Sequence, residues 1–173
     1  MLIRTVLAII FGTILSSCGT STLNVTNDTV LRADEGLLVT TIHTNVPKYT
    51  LTLIEKDARS GTAAAFNSEN PENFVIATLP AKSYSLAMFY QVGSLLINRT
   101  ASFGDGFDFT IEPGKINYIG DLRLTGDGAE LRIRVADNSD DVETKLAERY
   151  AVLFKKYPMN KIVIEKQAVV PFE

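Results

Sequence analysis

The run Ile116-Asn117-Tyr118-Ile119-Gly120-Asp121-Leu122-Arg123-Leu124-Thr125-Gly126-Asp127-Gly128-Ala129-Glu130-Leu131-Arg132-Ile133-Arg134-Val135 decides the fold class. Tyr118, Leu122 and Leu124 alternate with Asp121 and Arg123, and after a Gly-rich break Leu131, Ile133 and Val135 alternate with Arg132 and Arg134. A period of two residues is that of a strand with one buried face, so the run predicts two strands joined as a hairpin. Two tight turns compete for Thr125-Gly126-Asp127-Gly128. A turn on Asp127-Gly128 sets Arg123 against Arg132, which like-charge repulsion disfavours, whereas a type II′ turn on Gly126-Asp127 sets Arg123 against Glu130 and Asp121 against Arg132. The second register is expected. It gives these charges an ordinary place on a solvated sheet face, with no ligand required.

Working outward, the same signature recurs in short segments separated by turn residues. Leu37 to Thr44 is rich in β-branched residues and ends at Val46-Pro47-Lys48; Tyr49 to Ile54 alternates; Asn73 to Leu79 is closed by Pro80; Phe107 to Ile111 alternates and Pro113-Gly114 turns the chain. Residues 56–72 read as a loop. Tyr84 to Val92 is apolar on both faces, which predicts a central strand covered on each side, with residues 95–103 able to pair with it. After Val135 the period changes. Val142, Leu146, Tyr150, Leu153 and Tyr157 recur at helical spacing between the capping-type pair Asp140/Glu143 and Pro158, with Lys155 and Lys156 at the end that the helix dipole favours. One amphipathic helix over about 140–157 follows, its apolar stripe being the natural cover for Tyr84 to Tyr90. Lys161 to Val170 reads as a last strand, which Pro171 places at an edge. The expected fold is therefore mainly β: an antiparallel β-sandwich of about seven or eight strands over residues 35–173, with one C-terminal helix packed on it.

The N-terminus sets the address. Arg4 precedes an apolar run from Val6 to Leu15 that falls short of the about 20 residues a membrane-spanning helix needs, and small residues follow it. Leu15-Ser16-Ser17-Cys18 resembles the lipobox of bacterial lipoproteins. The resemblance implies that residues 1–17 are a signal peptide and that Cys18, the single cysteine, carries the lipid. Two or three acyl chains, at about 0.8 kcal/mol per buried methylene, would make membrane release negligible. Gly19 after the cysteine implies, by the same resemblance, sorting to the outer membrane with the domain facing the periplasm. Residues 18–34 read as the lipidated N-terminus and a flexible tether.

The whole chain has 17 Lys+Arg against 20 Asp+Glu, and loss of Arg4 with the leader makes the net charge about −4. That balance argues against nucleic acid as a partner, because such binding needs clustered cations. Roughly 156 residues remain, enough for one domain with a sizeable core. With no second cysteine the fold cannot rest on an internal disulfide.

Candidate chemistry is sparse. His43 is the single histidine and sits in a strand beside Ile42, so it reads as structural, and no Gly-x-Ser-x-Gly elbow presents a nucleophile. Asp137, Ser139, Asp141 and Glu148 have calcium-loop spacing, but Val142 stands where such a loop needs glycine, and a helix N-terminus explains the same carboxylates. Gly104-Asp105-Gly106-Phe107-Asp108 reads first as a turn. No catalytic residue, cofactor or metal is assigned.

Leu79-Pro80-Ala81-Lys82-Ser83-Tyr84 and Phe109-Thr110-Ile111-Glu112-Pro113-Gly114-Lys115-Ile116-Asn117-Tyr118-Ile119-Gly120 are similar to the paired signatures of prealbumin-like, carboxypeptidase-regulatory-like sandwich domains of bacterial envelope lipoproteins. The similarity spans about residues 36–137 and implies a noncatalytic module. Lys82-Ser83 stands where that family has glycine. The expectation is a lipid-anchored, noncatalytic envelope protein with a binding or structural role. Its partners are the membrane, through the lipid, and an envelope protein or cell-wall polymer. A carbohydrate- or peptidoglycan-binding lipoprotein is the alternative, and an envelope hydrolase comes third.

Overall fold

The computed structural model describes residues 25–46, 48–56, 62–67, 74–92, 98–164 and 166–173. The expected signal peptide and Cys18 lie outside the described residues. In chain order the strands and helices are β1 (Glu35–Thr44), β2 (Tyr49–Glu55), β3 (Thr62–Asn67), β4 (Phe74–Pro80), β5 (Ser83–Val92), β6 (Asn98–Ser102), β7 (Asp108–Thr110), β8 (Ile116–Gly126), β9 (Glu130–Ala136), α1 (Ser139–Arg149), α2 (Ala151–Lys156), β10 (Met159–Lys161) and β11 (Gln167–Pro171). The protein is mainly β, with two sheets and two short helices. The larger sheet runs β11-β9-β8-β1-β4 with β10 also on β8, and the smaller runs β3-β2-β5-β6 with β7 also on β5.

Alternate side chains of both sheets meet in one core, including Leu38, Ile42, Leu51, Leu53, Phe89, Leu122 and Ile133. A second cluster lies on the opposite face of the larger sheet, where Leu37, Val39, Ile116 and Tyr118 pack against Val142, Leu146, Leu153 and Tyr157 of the helical layer. The helices thus cover β1 and β8, and not Tyr84 to Tyr90 as the two-faced apolarity of that strand predicts. A bulge explains the difference. Thr52 pairs with Met88 but Leu53 pairs with Leu86, which leaves Ala87 as the extra residue. Tyr84 and Leu86 before it and Phe89 after it all enter the same core, because the extra residue reverses the alternation.

The larger sheet is mixed, against the antiparallel expectation: β1 and β10 both run parallel to β8. Eleven strands are present among the described residues, more than the sequence pattern resolves, and the expected last strand divides into β10 and β11. The division has a cause at Gly120. One edge of β8 carries β10 along Ile116 to Tyr118 and β9 from Asp121 onward. Gly120 lies at this fork with φ of +107°, where an added Cβ would stand 2.5 Å from Val135 Cγ1 and 3.2 Å from the Ala136 carbonyl. Only glycine suits both constraints. Opposite it, Thr40 Oγ1 donates to the Gly120 carbonyl at 2.6 Å.

The single helix expected over 140–157 is interrupted at Tyr150, whose φ of −120° and ψ of 45° leave the helical region. The Asn27 amide fills the break. Its Nδ2 donates to the Arg149 carbonyl at 3.2 Å and its Oδ1 accepts the Val152 N–H at 3.2 Å. Leu31 N–H donates to the Tyr157 hydroxyl at 3.0 Å and Val25 is buried in the helix-side cluster. Over residues 25–34 the stretch read as a flexible tether is therefore a docked strap. At the other end of the chain, Glu173 exchanges two backbone hydrogen bonds with Thr100, linking the end of β11 to β6 of the smaller sheet.

Candidate functional site

Among the described residues the helical layer covers one end of the larger sheet's outer face, and the bulge at Gly120 decides what stands on the other. Val39 pairs with Tyr118 but Thr41 pairs with Asp121, so β8 gains a residue there. Tyr118 consequently faces the helices while Leu122 and Leu124 face the core, which separates three residues that simple alternation places together. Asp121 and Arg123 move to the outer face. Asp121 is not a wet-face charge: its side chain is 1% exposed.

A hydrogen-bonded chain holds it. The Tyr118 hydroxyl donates to Asp121 Oδ1 at 2.9 Å and accepts the Asn138 N–H at 3.1 Å, so a sheet residue caps the entry to α1. No side chain of the expected capping pair performs that task. Burial, then the hydrogen bond to Asp121, raises the Tyr118 phenol well above its ordinary value. Asp121 Oδ2 and Thr41 Oγ1 are buried and accept no hydrogen bond among the described residues. His43 Nε2, on a side chain 47% exposed, lies 3.8 Å from that Oδ2 and forms an ion pair with it when protonated.

Beyond Asp121 the hairpin departs from both registers considered for it. Gly126 pairs with Leu131, Thr125 with Arg132 and Arg123 with Arg134. A wider loop replaces the two-residue turn because Asp127 organises it: Oδ1 accepts the Ala129 N–H at 3.3 Å and the Glu130 N–H at 3.0 Å. Those two bonds hold the Asp127 carboxyl below the usual carboxylate range. Arg132 approaches Asp127 Oδ2 at 3.7 Å. The structure thus brings about the arginine-on-arginine opposition that charge pairing argues against, at positions 123 and 134.

The opposition extends into a row. His43 pairs with Arg123 across β1 and β8, Arg123 with Arg134 across β8 and β9, and Arg134 with Gln167 across β9 and β11. Their chain neighbours Ile42, Leu122, Leu124, Ile133, Val135 and Ala168 all pack into the inter-sheet core, which directs the four polar side chains to the outer face. Among the described residues neither Arg123 nor Arg134 has a carboxylate within ion-pair distance. Arg134 and Gln167 also line an open groove of about 450 Å³ with Val135, Ala136, Asp137 and Lys166. Asp137 is already engaged, since its carboxyl accepts the Ser139 N–H at 2.9 Å, and that contact keeps it anionic below the usual range. Lys166 turns away to the Asp105 carbonyl and over the Phe107 ring.

No known protein family, curated protein or solved structure matches the chain.

The other candidates fall elsewhere. Asp137, Ser139, Asp141 and Glu148 do not converge: Asp137 holds Ser139, Asp141 pairs with Lys145 at 2.6 Å and Glu148 is exposed on α1. Gly104 and Gly106 adopt positive φ in a turn, and Asp108 pairs with Lys56. No group of three or more His, Cys, Asp or Glu able to hold a metal occurs among the described residues. Several aromatic rings pack in or against the core, with half-buried Tyr49 stacked on Phe89 and buried Tyr84 on Phe109, 5.4 and 5.9 Å between centroids. The quoted motifs around Tyr84 and Asn117 are turn anchors: Tyr84 donates to the Pro80 carbonyl at 3.0 Å, and buried Asn117 bonds both Glu112 and Lys115. Sequence reasoning missed the donor row because it depends on a register and a bulge. The available signal was Gly120, a glycine inside an otherwise strong strand.

Proposed function

We propose that the protein is a lipid-anchored, noncatalytic component of the cell envelope whose β-sandwich head binds a ligand on the bare end of its larger sheet. The observation that carries the binding role is the outer-face row His43, Arg123, Arg134 and Gln167, in which two arginines stand side by side without carboxylate partners. Like charges set directly opposite one another destabilise a sheet, so a surface that keeps them is better suited to a partner than to packing. The address rests on Leu15-Ser16-Ser17-Cys18, with Gly19 supporting outer-membrane sorting and a domain facing the periplasm. The strap over residues 25–34 supports a head held close to its anchor, since Asn27 and Leu31 fix it to the helical layer.

Fractionation of cells expressing the wild type and Cys18→Ser tests the address. The wild type is expected in the membrane fraction and in the detergent phase on partitioning, and the variant should keep its leader and lose detergent partitioning. Identical behaviour of the two proteins would overturn the reading. Crosslinking in intact cells, followed by capture through the folded domain, tests the partner class. Envelope proteins or wall polymer are expected, and recovery of cytosolic proteins alone would contradict it.

A further inference from the structure

We infer that Arg123 and Arg134 form an oxyanion clamp, flanked by His43 and Gln167, that takes a phosphate or carboxylate group of an acidic ligand. The inference deepens the binding role proposed above and rests on it. Residues directly opposite on antiparallel strands carry their Cβ atoms about 4.5–5.5 Å apart, so two guanidinium groups rooted at 123 and 134 can close on one oxyanion from both sides. Each offers a planar fork of donors that matches such oxygens bidentately, and neither is committed to a carboxylate among the described residues. The remainder of the row extends the same chemistry. Gln167 adds amide donors beside Arg134, and the His43 ring adds a polar edge beside Arg123. With strands about 4.8 Å apart, the four side chains span roughly 14 Å, room for more than one anionic group.

Two features separate this row from an ordinary solvated arginine surface. The neighbouring Arg132 has a partner, Asp127 at 3.7 Å, whereas 123 and 134 have no carboxylate within ion-pair distance among the described residues. An open, shallow groove also lies beside Arg134 and Gln167, where an anion held by Arg134 has room. Asp137, which also lines the groove, is engaged by the Ser139 N–H at 2.9 Å.

The test uses the full-length chain in detergent, titrated by calorimetry at constant ionic strength with inorganic phosphate and, separately, with inorganic tripolyphosphate. Saturable binding of tripolyphosphate is expected. Arg123→Gln and Arg134→Gln should each weaken it by about tenfold or more, the loss that follows from removing charge-assisted hydrogen bonds. Arg123→Lys keeps the charge and loses the fork, so it should fall between wild type and Arg123→Gln. Tighter binding of tripolyphosphate than of phosphate would assign the site to a ligand with several anionic groups, and equal binding would assign it to a single oxyanion. Both support the clamp. Absence of saturable binding by either probe, glutamine variants that bind as the wild type does, or glutamine variants that unfold would overturn it. If binding fails while Cys18→Ser still loses detergent partitioning, the clamp falls and the envelope address stands.

Discussion

The Tyr118 hydroxyl bonds two things at once, the buried Asp121 carboxylate at 2.9 Å and the Asn138 N–H at the entry to α1 at 3.1 Å. It is the polar joint between the sheet and the helical layer, and it satisfies one oxygen of a carboxylate whose other oxygen has no hydrogen bond among the described residues. Tyr118→Phe keeps the ring in its packing and removes both bonds. A loss of about 1.5–3 kcal/mol in unfolding free energy is expected, measured by urea denaturation with the slope unchanged. A variant as stable as the wild type would show that the phenol contributes only its ring.

Alkaline pH should unfold the protein through its buried phenols. Burial raises Tyr84 to about 12, with Glu55 adding to it, and raises Tyr49 and Tyr118 as well. In the unfolded chain these groups ionise near pH 10, so their folded pKa lies above the unfolded one. Their contribution is fully present below pH 10 and is lost as pH rises toward 12, by at most about 1.4 kcal/mol per pH unit for each phenol. Tyr157 opposes this, because the Leu31 N–H and Lys156 outweigh its burial and lower its pKa. Stability should therefore be flat between neutrality and pH 10 and fall above it. Phenolate absorbance that rises well before unfolding would place the ionising tyrosines at the surface.

What the sequence disclosed and what it concealed divide at the bulges. The mainly-β class followed from period-two patterning, and the helical region from the spacing of Val142, Leu146, Leu153 and Tyr157, because both patterns are local. Ala87 and Gly120 each insert one residue, and past such a point every side chain changes face. That is why Tyr84 to Val92 reads as doubly apolar, why Asp121 reads as solvated, and why the helical stripe reads as a cover for β5 when it packs on β1 and β8. The hairpin register escaped for a different reason. Charge pairing is worth only a few tenths of a kcal/mol per pair, whereas the two backbone hydrogen bonds to Asp127 fix the loop. The strap was hidden because Asn27 acts on Arg149 and Val152, more than a hundred residues away in the chain.

That strap is open to direct test. Asn27→Ala removes a side chain that bonds both the Arg149 carbonyl and the Val152 N–H at the Tyr150 break. The groups it frees are exposed enough to meet water, so the cost should be modest, about 1 kcal/mol. Hydrogen exchange gives the sharper readout. Faster exchange should appear at Val152 and at Leu31, whose N–H bonds Tyr157, while Leu122 and Ile133 in the core stay protected. Unchanged exchange at Val152 would mean that the segment does not hold the helix break.

The opposition of Arg123 and Arg134 makes a prediction that no other register shares. In the ligand-free protein, Arg134→Glu turns a like-charge cross-strand pair into an opposite one and should raise stability by about 0.2–1 kcal/mol. In an Arg123→Gln background the same substitution should yield little or nothing, because its partner is gone. Arg132→Glu serves as the control. That residue faces Thr125 and lies 3.7 Å from Asp127, so reversing its charge adds repulsion and should lower stability. If the gain from Arg134→Glu survives removal of Arg123, or if Arg132→Glu is the stabilising change, then Arg132 rather than Arg134 stands opposite position 123. The donor row across β1, β8, β9 and β11 would then be broken at its centre.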